Sequence, residues 1–467
     1  MDIKKAAVIG SGVMGSGIAA HIANAGVPVI LLDIVPEGAN DRNKLAAGAI
    51  QRMLKQDPAP FMHKKNARLV TAGNLEDDLD QLAECDWICE AVIERLDIKH
   101  DVFAKIEANR KPGSVVSSNT STIPLAQLVD GLPDSFQQDF IITHFFNPPR
   151  YMRLLEIVAG EKTRPEAVAA LTDFADVKLG KGVISCNDTP GFIANRIGSY
   201  WIQAAVNAAM DHGLTVEEAD AVGGRPMGVP KTGIFGLLDL VGLDLMPHVG
   251  RSLKGNLPAD DPYVVDYREP ELVEKMIADG YTGRKGKGGF YRLNREGGKR
   301  LKESIDLSTG AYARSEKAQL ASLDAGGRDL KTLVSHEDRG GKFAWEVLSK
   351  VLSYAASLVP EIADTIYDVD QGMKLGYAWK YGPFELIDRM GAKWFADKLA
   401  ADGLPVPDLL AKVGDGGFYK VADGQLQYFG TDGAYHDVQR GEGVLLLEDI
   451  KRRSDPVARN GSASLWD

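Results

Sequence analysis

The chain has 467 residues, which is too long for one ordinary domain, so we expect two or three domains. Its 44% hydrophobic and 25% charged residues are ordinary for a globular protein, and no apolar run approaches the ~18 residues of a membrane span. A net charge of -11 argues against a nucleic-acid partner, because phosphate backbones require a surplus of Lys and Arg.

Three cysteines (Cys85, Cys89 and Cys186) are too few for a disulfide framework and suit a reducing compartment. The first strand-like stretch begins within a few residues of Met1, which leaves no room for a targeting peptide. We therefore expect a cytoplasmic protein. Cys85 and Cys89 have no second pair of ligands nearby, so we expect buried apolar thiols and no metal site.

Residues 1–185 alternate strand-like and helix-like stretches, which favours an α/β Rossmann-type domain with a doubly wound parallel sheet. Helices are predicted over 12–26 and 98–110. Strands are predicted over 6–10, 27–33, 68–73, 87–92, 115–119, 140–146 and 154–160.

From residue 186 the pattern becomes helical, beginning with the apolar spacing of 191–213. A shift of 149 residues superposes TGIFGLLDLVG (232–242) on YGPFELIDRMG (381–391), and each copy later reaches GGFY, at 288–291 and 416–419. We predict an all-α region of two related modules. Their ranges are 186–295 for the first module, 296–340 for a linker, 341–430 for the second module and 431–467 for a tail.

The glycines at 10, 12 and 15 follow a strand and open a helix, which is the context that a dinucleotide-binding GxGxxG loop needs. Asp33 ends the second strand, where a carboxylate accepts from both ribose hydroxyls and repels a 2′-phosphate. The loop and Asp33 together favour NAD over NADP. The alternatives are a purely structural glycine turn with an incidental aspartate, and FAD, for which no second feature is visible.

The stretch THFFNPPRYMRLLEIV (143–158) carries the chemistry that we predict. Its prolines can reverse the chain and bring His144 of one strand to Glu156 of the next. An imidazole held by a carboxylate has a fixed tautomer and a raised basicity, which suits a general base acting on an alcohol. The alternative for His144 is a structural histidine.

Polar residues elsewhere have two interpretations each. The hydroxyls and the amide of SNTSTIP (118–124) can hold a substrate oxygen at the carboxyl edge of the sheet, or Ser121 or Thr122 can cap a helix before Pro124. Glu90, Glu94 and Lys99 are cap or surface charges, or they contact the ribose or nicotinamide of the cofactor.

The motifs GSGVMGSG with Asp33, EAVIERLDIK, SNTS, HFFNPP, LLEIV and DTPGFIANR, in this order, resemble the L-3-hydroxyacyl-CoA dehydrogenase family of fatty-acid β-oxidation. The resemblance covers about 290 residues strongly, and the repeated module extends it to about residue 420. It implies NAD-dependent oxidation of an (S)-3-hydroxyacyl-CoA to a 3-ketoacyl-CoA. Two other functions remain open: the chain is a dehydrogenase of a free 3-hydroxy acid, or it is a non-catalytic NAD-binding structural protein.

The resemblance also implies roles for residues that match the family motifs. His144 is the catalytic histidine and Glu156 is its partner, while Ser121, Asn147 and Asn195 contact the substrate or position the histidine. The implied cofactor contacts are Gly10, Gly12, Gly15, Asp33, Glu94, Lys99 and Ser121.

The second module departs from the family pattern, because FAWEVL (343–348) stands where GFIANRI is expected, with Glu346 near the asparagine position. We infer that this copy is structural, and we expect either a monomer, in which the second module covers the first, or a homodimer. The expected partners are an acyl-CoA substrate and an enoyl-CoA hydratase, either fused to the chain or associated with it.

Overall fold

The computed structural model describes residues 2–294, 300–326, 329–441 and 443–467, which group into two compact units. The first unit is Met1–Asn195 with Leu375–Tyr377, and the second is Arg196–Lys374 with Ala378–Asp467. Within these described ranges, no helix has the length and apolar character needed to span a membrane.

The first unit contains an eight-stranded sheet, in the order β3-β2-β1-β4-β5-β6-β7-β8. Strands β1 to β6 are parallel, which confirms the predicted Rossmann-type doubly wound sheet. The strands are Ala6–Ile9 (β1), Val29–Asp33 (β2), Val70–Asn74 (β3), Trp87–Glu90 (β4), Val115–Ser118 (β5), Phe140–Phe145 (β6), Leu154–Ala159 (β7) and Gly182–Ser185 (β8).

The last two strands depart from the all-parallel prediction. β7 runs antiparallel to β6 and β8 runs parallel to β7, so both are reversed relative to the other six strands. The connection 146–153 between β6 and β7 is too short for the crossover that a parallel pair requires. β8 was not predicted, because GVIS is short and only partly buried.

Helices cover the sheet, so its central strands are buried on both faces. β1 is wholly apolar, whereas β4, β5 and β6 carry buried polar residues toward their carboxyl ends. The α-helices of this unit are Val13–Asn24 (α1), Lys44–Met53 (α2), Leu96–Asn109 (α3), Leu125–Leu128 (α4), Asp134–Asp139 (α5) and Pro165–Asp173 (α6). Single turns of other helix types lie at Lys64–Leu69, Leu79–Glu84 and Phe174–Lys178. The three cysteines are buried, and this burial was predicted for Cys85 and Cys89.

The second unit is mainly helical, as predicted. Its helices, the first of which begins just before the unit, are Ala194–Asp211 (α7), Val216–Val222 (α8), Phe235–Val241 (α9), Leu245–Asn256 (α10), Pro262–Val265 (α11), Glu271–Ala278 (α12), Ala321–Gly326 (α13), Leu330–Val334 (α14), Arg339–Ser357 (α15), Ile366–Gly376 (α16), Pro383–Met390 (α17), Ala392–Ala401 (α18), Asp408–Val413 (α19) and Leu447–Arg453 (α20), with a 3₁₀ turn at Arg225–Met227.

The all-α description misses two three-stranded antiparallel sheets and one two-stranded pair in this unit. The strands are Tyr291–Asn294 (β9), Leu301–Ile305 (β10), Tyr312–Arg314 (β11), Tyr419–Ala422 (β12), Gln425–Phe429 (β13), Tyr435–Asp437 (β14), Ala458–Arg459 (β15) and Ser464–Leu465 (β16). These strands are short, and all of them except β10 and β13 contain no buried residue, so they lack the apolar alternation that predicts a strand.

The segments predicted as linker and tail therefore contain regular structure. The range 296–340 includes β10, β11, α13 and α14, while 431–467 includes β14, α20 and the pair β15–β16. Residues 296–299 and 327–328 of the predicted linker, and residue 442 of the predicted tail, lie outside the described residues.

The sequence repeat corresponds to a repeated hydrogen-bond arrangement. Asp239 accepts the backbone N–H groups of the last two residues of GGFY 288–291, at 2.7 and 2.8 Å. Asp388 accepts the same two groups of GGFY 416–419, also at 2.7 and 2.8 Å. Burial raises the pKa of each of these carboxyls to about 6. Each carboxyl group thus joins its helix to the small sheet that closes its module.

Replacing one of these carboxylates should destabilise the second unit. Asp239→Ala leaves two buried N–H groups without an acceptor, so we expect the free energy of unfolding to fall by about 2–4 kcal/mol. Urea denaturation measures this, with Asp388→Ala as the equivalent change and the exposed Asp415→Ala as the control. A loss no larger than that of the control would contradict the role given to the carboxylate.

Candidate active site

The glycine-rich loop joins β1 to α1, and two of its glycines are required by the protein itself. Gly10 has φ of +100°, and a Cβ there would lie 2.6 Å from the carbonyl oxygen of Ala91. A Cβ on Gly15 would lie 1.9 Å from the carbonyl oxygen of Gly10. These contacts explain the turn and the close packing of α1 on the sheet.

Gly12 differs from the other two, because the fold does not require it. Its φ is -65°, which any residue adopts, and a Cβ there would meet no atom within 4 Å. A side chain at this position would instead fill open space in front of the amino end of α1, where backbone N–H groups attract an anion. The residues present therefore fit a dinucleotide whose pyrophosphate approaches the backbone.

Asp33 lies at the end of β2 beside the same loop. One carboxylate oxygen accepts the N–H of Ser11 at 2.7 Å and also its hydroxyl, and the other accepts the N–H of Ile34 at 2.7 Å. The carboxylate is thus fixed next to the glycine loop. Its negative charge at this position suits ribose hydroxyls and disfavours a 2′-phosphate.

Glu90, Glu94 and Lys99 form an ion cluster in which Glu90 and Lys99 are buried and Glu94 is exposed, so the interpretation as surface charges was wrong for Glu90 and Lys99. Glu90 and Lys99 are 0% and 1% exposed. The ammonium of Lys99 lies 2.8 and 3.0 Å from the two oxygens of Glu90 and 3.2 Å from Glu94. Sequence alone did not show this burial, because charged residues are rarely fully buried unless they are paired.

Glu94 connects this cluster to the SNTS loop. One of its oxygens accepts the hydroxyl of Thr120 and the N–H groups of Ser121 and Thr122, at 3.1 and 3.3 Å for the N–H groups. Burial alone would raise the pKa of Glu94, but the charge of Lys99 and the Thr120 hydroxyl lower it. The carboxylate form therefore holds the loop that carries Ser121.

Two further side chains, which sequence reasoning missed, fix this loop. The Asn119 side-chain oxygen accepts the N–H of Phe145, which ties the loop to the end of β6. Asp188 accepts the N–H groups of Leu125 and Ala126 at 2.7 and 3.1 Å. The predicted cap of this helix by Ser121 or Thr122 is therefore wrong, since Asp188 from a distant part of the chain supplies it.

His144 and Glu156 meet as predicted. They are directly opposed in the antiparallel register of β6 and β7, and Nδ1 of His144 lies 2.6 Å from Oε2 of Glu156. Glu156 is fully buried and His144 is 6% exposed. Because an ionised carboxylate only accepts hydrogen bonds, Nδ1 carries the hydrogen and Nε2 is left with a free lone pair.

The second oxygen of Glu156 is also occupied. Oε1 accepts the N–H groups of Ile193 and Ala194, at 3.2 and 2.8 Å, where α7 begins. This arrangement stabilises the carboxylate at a helix amino end. The rings of Phe146 and Phe192 lie beside the His144 ring, with centroids at 4.6 and 5.7 Å.

The other predicted substrate contacts are not bonded to the histidine. Asn147 is exposed in the connection after β6, Asn195 is half-buried at the start of α7, and Ser121 is half-buried in its loop. Within the described part of the chain, none of the three side chains hydrogen-bonds His144. Their roles remain predictions.

Glu346 of the second module forms ion pairs inside the second unit. It pairs with His212 at 2.8 Å and with Lys350 at 3.4 Å. The residue near the expected asparagine position thus joins α15 to the turn that follows α7, which agrees with a structural role for the second copy.

Two family models match consecutive stretches within residues 5–293. The family model "3-hydroxyacyl-CoA dehydrogenase, NAD binding domain" matches residues 5–189, and "3-hydroxyacyl-CoA dehydrogenase, C-terminal domain" matches residues 191–293. The NAD-binding match covers the glycine loop, Asp33 and the His144–Glu156 pair.

Curated relatives carry related descriptions. A probable 3-hydroxyacyl-CoA dehydrogenase of Bacillus subtilis is 40% identical over 100% of this chain and 61% of its own length. A protein of Deinococcus radiodurans with the same description is 46% identical over 63% of this chain and 84% of its own length. A putative fatty acid oxidation complex trifunctional enzyme of Rickettsia felis is 43% identical over 83% of this chain. The chain spans only 53% of that enzyme's length.

The fold also matches a solved structure. The 3-hydroxybutyryl-CoA dehydrogenase of Escherichia coli K12 superposes with a TM-score of 0.65 at 20% identity. The superposition covers 88% of this chain and 98% of the other. At this identity the likeness establishes the fold alone.

The two kinds of glycine predict different effects of substitution. Gly12→Ala should leave the thermal midpoint nearly unchanged but weaken NADH binding by at least about tenfold, because the added methyl group fills the open space before α1. Gly10→Ala should instead lower the thermal midpoint, since it strains φ and meets Ala91. Calorimetry and NADH fluorescence titration measure both effects. Unchanged NADH affinity in folded Gly12→Ala would contradict this position for the pyrophosphate.

Proposed function

The chain belongs to the 3-hydroxyacyl-CoA dehydrogenase family, and from this premise we propose that it oxidises (S)-3-hydroxyacyl-CoA to 3-ketoacyl-CoA with NAD. The observation that carries the proposal is the buried pair of His144 and Glu156 at the edge of the sheet where β6 ends. Open α/β sheets bind their ligands at this edge, beyond the carboxyl ends of the parallel strands.

In the proposed reaction His144 is the general base. Glu156 holds the hydrogen on Nδ1, so the lone pair of Nε2 takes the proton of the substrate hydroxyl. The imidazolium that forms is stabilised by the Glu156 carboxylate, as in other histidine–carboxylate pairs. The phenyl rings beside His144 limit its contact with water, which strengthens this electrostatic effect.

NAD would be held by Gly10, Gly12 and Gly15 and by Asp33 at the ribose. When bound, NAD supplies the oxidised nicotinamide that accepts a hydride from the substrate carbon. Glu94 accepts a hydrogen bond from the Ser121 loop, and Lys99 forms an ion pair with Glu94. We also propose that both residues contact the cofactor directly. Ser121 and Asn195 hold the reacting oxygen, and Asn147 positions His144 or the thioester carbonyl.

The cellular setting is proposed on the same basis. Three buried cysteines, too few for a disulfide framework, suit a reducing cytoplasm. The relative from Rickettsia felis is described as a trifunctional enzyme of a fatty acid oxidation complex, and the present chain spans about half of it. We therefore propose that an enoyl-CoA hydratase, fused or associated, supplies the 3-hydroxyacyl-CoA.

The substrate class is tested by NADH oxidation with 3-ketoacyl compounds. Acetoacetyl-CoA and longer 3-ketoacyl-CoA thioesters should be reduced, while free acetoacetate should be reduced at least about a hundredfold less efficiently because it lacks the CoA contacts. Efficient reduction of free acetoacetate would identify a dehydrogenase of free 3-hydroxy acids. NADH binding without turnover of any thioester would identify a non-catalytic NAD-binding protein.

Removing the imidazole of His144 should lower kcat without changing the affinity for NADH. In His144→Ala we expect kcat to fall by roughly 10²–10⁴, with the Kd for NADH little changed, because His144 acts on the substrate proton. Steady-state kinetics and fluorescence titration measure the two quantities. The exposed His436→Ala serves as the control and should retain full turnover. Near-normal kcat in His144→Ala would refute the assignment.

A further inference from the structure

Lys181 is a buried lysine that the proposed chemistry does not use. It directly precedes β8 and is 2% exposed. Gly182 is in register with Leu154 of β7, and Leu155 is in register with Phe145 of β6. Lys181 therefore lies at the edge of the sheet where β6 ends, and β6 ends at Phe145, the residue that follows His144.

The ammonium of Lys181 binds the connection between β6 and β7. Nζ donates to the carbonyl oxygen of Pro149 and, at 2.7 Å, to that of Met152. It also lies 5.4 Å from the centroid of the Phe145 ring. One side chain thus holds the connection 146–153 at two points and contacts the residue that follows His144.

Among the described residues, no carboxylate forms an ion pair with the ammonium of Lys181. The charge of Arg153 acts on Lys181, and Lys181 in turn acts on the ring of His21. Burial, followed by the charge of Arg153, lowers the pKa of Lys181 to about 7. Burial and the charge of Lys181 lower the pKa of His21 to about 3, so its ring is neutral.

A buried cation without a counter-ion costs stability, so stability alone does not explain a lysine here. An apolar side chain of similar length would avoid the cost of burying the charge. Lys181 instead donates two hydrogen bonds to the connection 146–153. That connection carries Asn147, and its Pro149 also packs against Gly17 of α1, where an added Cβ would lie 3.0 Å away.

We infer that Lys181 is a positioning residue for the proposed reaction. By holding the carbonyl groups of Pro149 and Met152, it fixes the connection 146–153 and thereby the positions of Asn147 and His144 relative to α1. The inference rests on the proposed function for its kinetic consequence, but the fixing of the connection does not depend on that function.

The kinetic test compares Lys181→Met with Lys178→Met, an exposed lysine three residues earlier. In Lys181→Met we expect kcat for acetoacetyl-CoA reduction to fall on the order of 10²-fold, because displacements of about 1 Å have effects of this size. The Kd for NADH should stay within about threefold, since the glycine loop and Asp33 are untouched. Lys181→Arg, which keeps donors and charge, should recover part of the loss, and Lys178→Met should match the wild type.

A folded Lys181→Met that binds NADH and retains at least a third of the wild-type kcat would overturn the inference. Equal losses in kcat and NADH affinity would also overturn it, because they would indicate general destabilisation. If the wild type itself reduces no ketoacyl-CoA, the proposed function fails, and the role of Lys181 is decided by the next measurement.

Hydrogen–deuterium exchange tests the fixing of the connection without any activity. The N–H groups of Tyr151 and Met152 both donate to the carbonyl oxygen of Pro148, at 2.9 and 3.0 Å. Their exchange should accelerate on the order of tenfold in Lys181→Met and should not change in Lys178→Met. Unchanged exchange in a folded Lys181→Met would overturn the inference. If Lys181→Met does not fold, the same comparison is made with Lys181→Gln, whose shorter neutral side chain cannot keep both hydrogen bonds. Faster exchange in that variant supports the inference, and unchanged exchange contradicts it.

The pH dependence of stability gives a separate check on the buried ammonium. Between pH 7 and 10 the unfolded chain keeps the proton of this lysine whereas the folded chain releases it, so stability rises with pH over this range. The urea midpoint of the wild type should therefore rise relative to that of Lys181→Met between pH 7 and 10. A constant difference between the two midpoints would contradict the low pKa.

Discussion

The arrangement of the site depends on one buried carboxylate. Glu156 lies on β7, and its two oxygens have different partners, the imidazole of His144 on β6 and the N–H groups of Ile193 and Ala194 where α7 begins. Its negative charge is therefore compensated on both sides without contact with water. The same group fixes the tautomer of the histidine and the start of the helix that carries Asn195, so the position of the base and the path of the chain are set together.

The two copies of the helical module show which parts of the pattern are structural. Both keep the aspartate that accepts the two N–H groups of GGFY, because this carboxylate closes the module on its small sheet. The asparagine position is not kept, and in the second copy Glu346 pairs with His212 and Lys350. The interactions kept in both copies are those that hold a module together. The altered residue, Glu346, is near the sequence position that corresponds to Asn195, a proposed substrate contact in the first copy.

Much of the site could be predicted because its determinants are local in sequence. The glycine loop, Asp33 and the strand–proline–strand stretch around His144 and Glu156 each lie within one β-α or β-β unit. The buried pairing of Lys99 with Glu90, the cap supplied by Asp188 and the contacts of Lys181 could not be predicted, because they depend on which distant segments meet. The small sheets were not predicted, because their short strands show little alternation of apolar and polar residues.

The central claim is that Glu156 sets the tautomer of His144, and turnover of Glu156→Gln tests it most directly. The glutamine oxygen can still accept from Ile193 and Ala194, so we expect a nearly unchanged thermal midpoint and NADH affinity. Its amide would donate to Nδ1 of His144 and leave the hydrogen on Nε2, which removes the base. The account predicts that kcat with an acyl-CoA substrate falls by roughly 10²–10⁴ at neutral pH. A kcat close to that of the wild type in this folded, NADH-binding variant would contradict it.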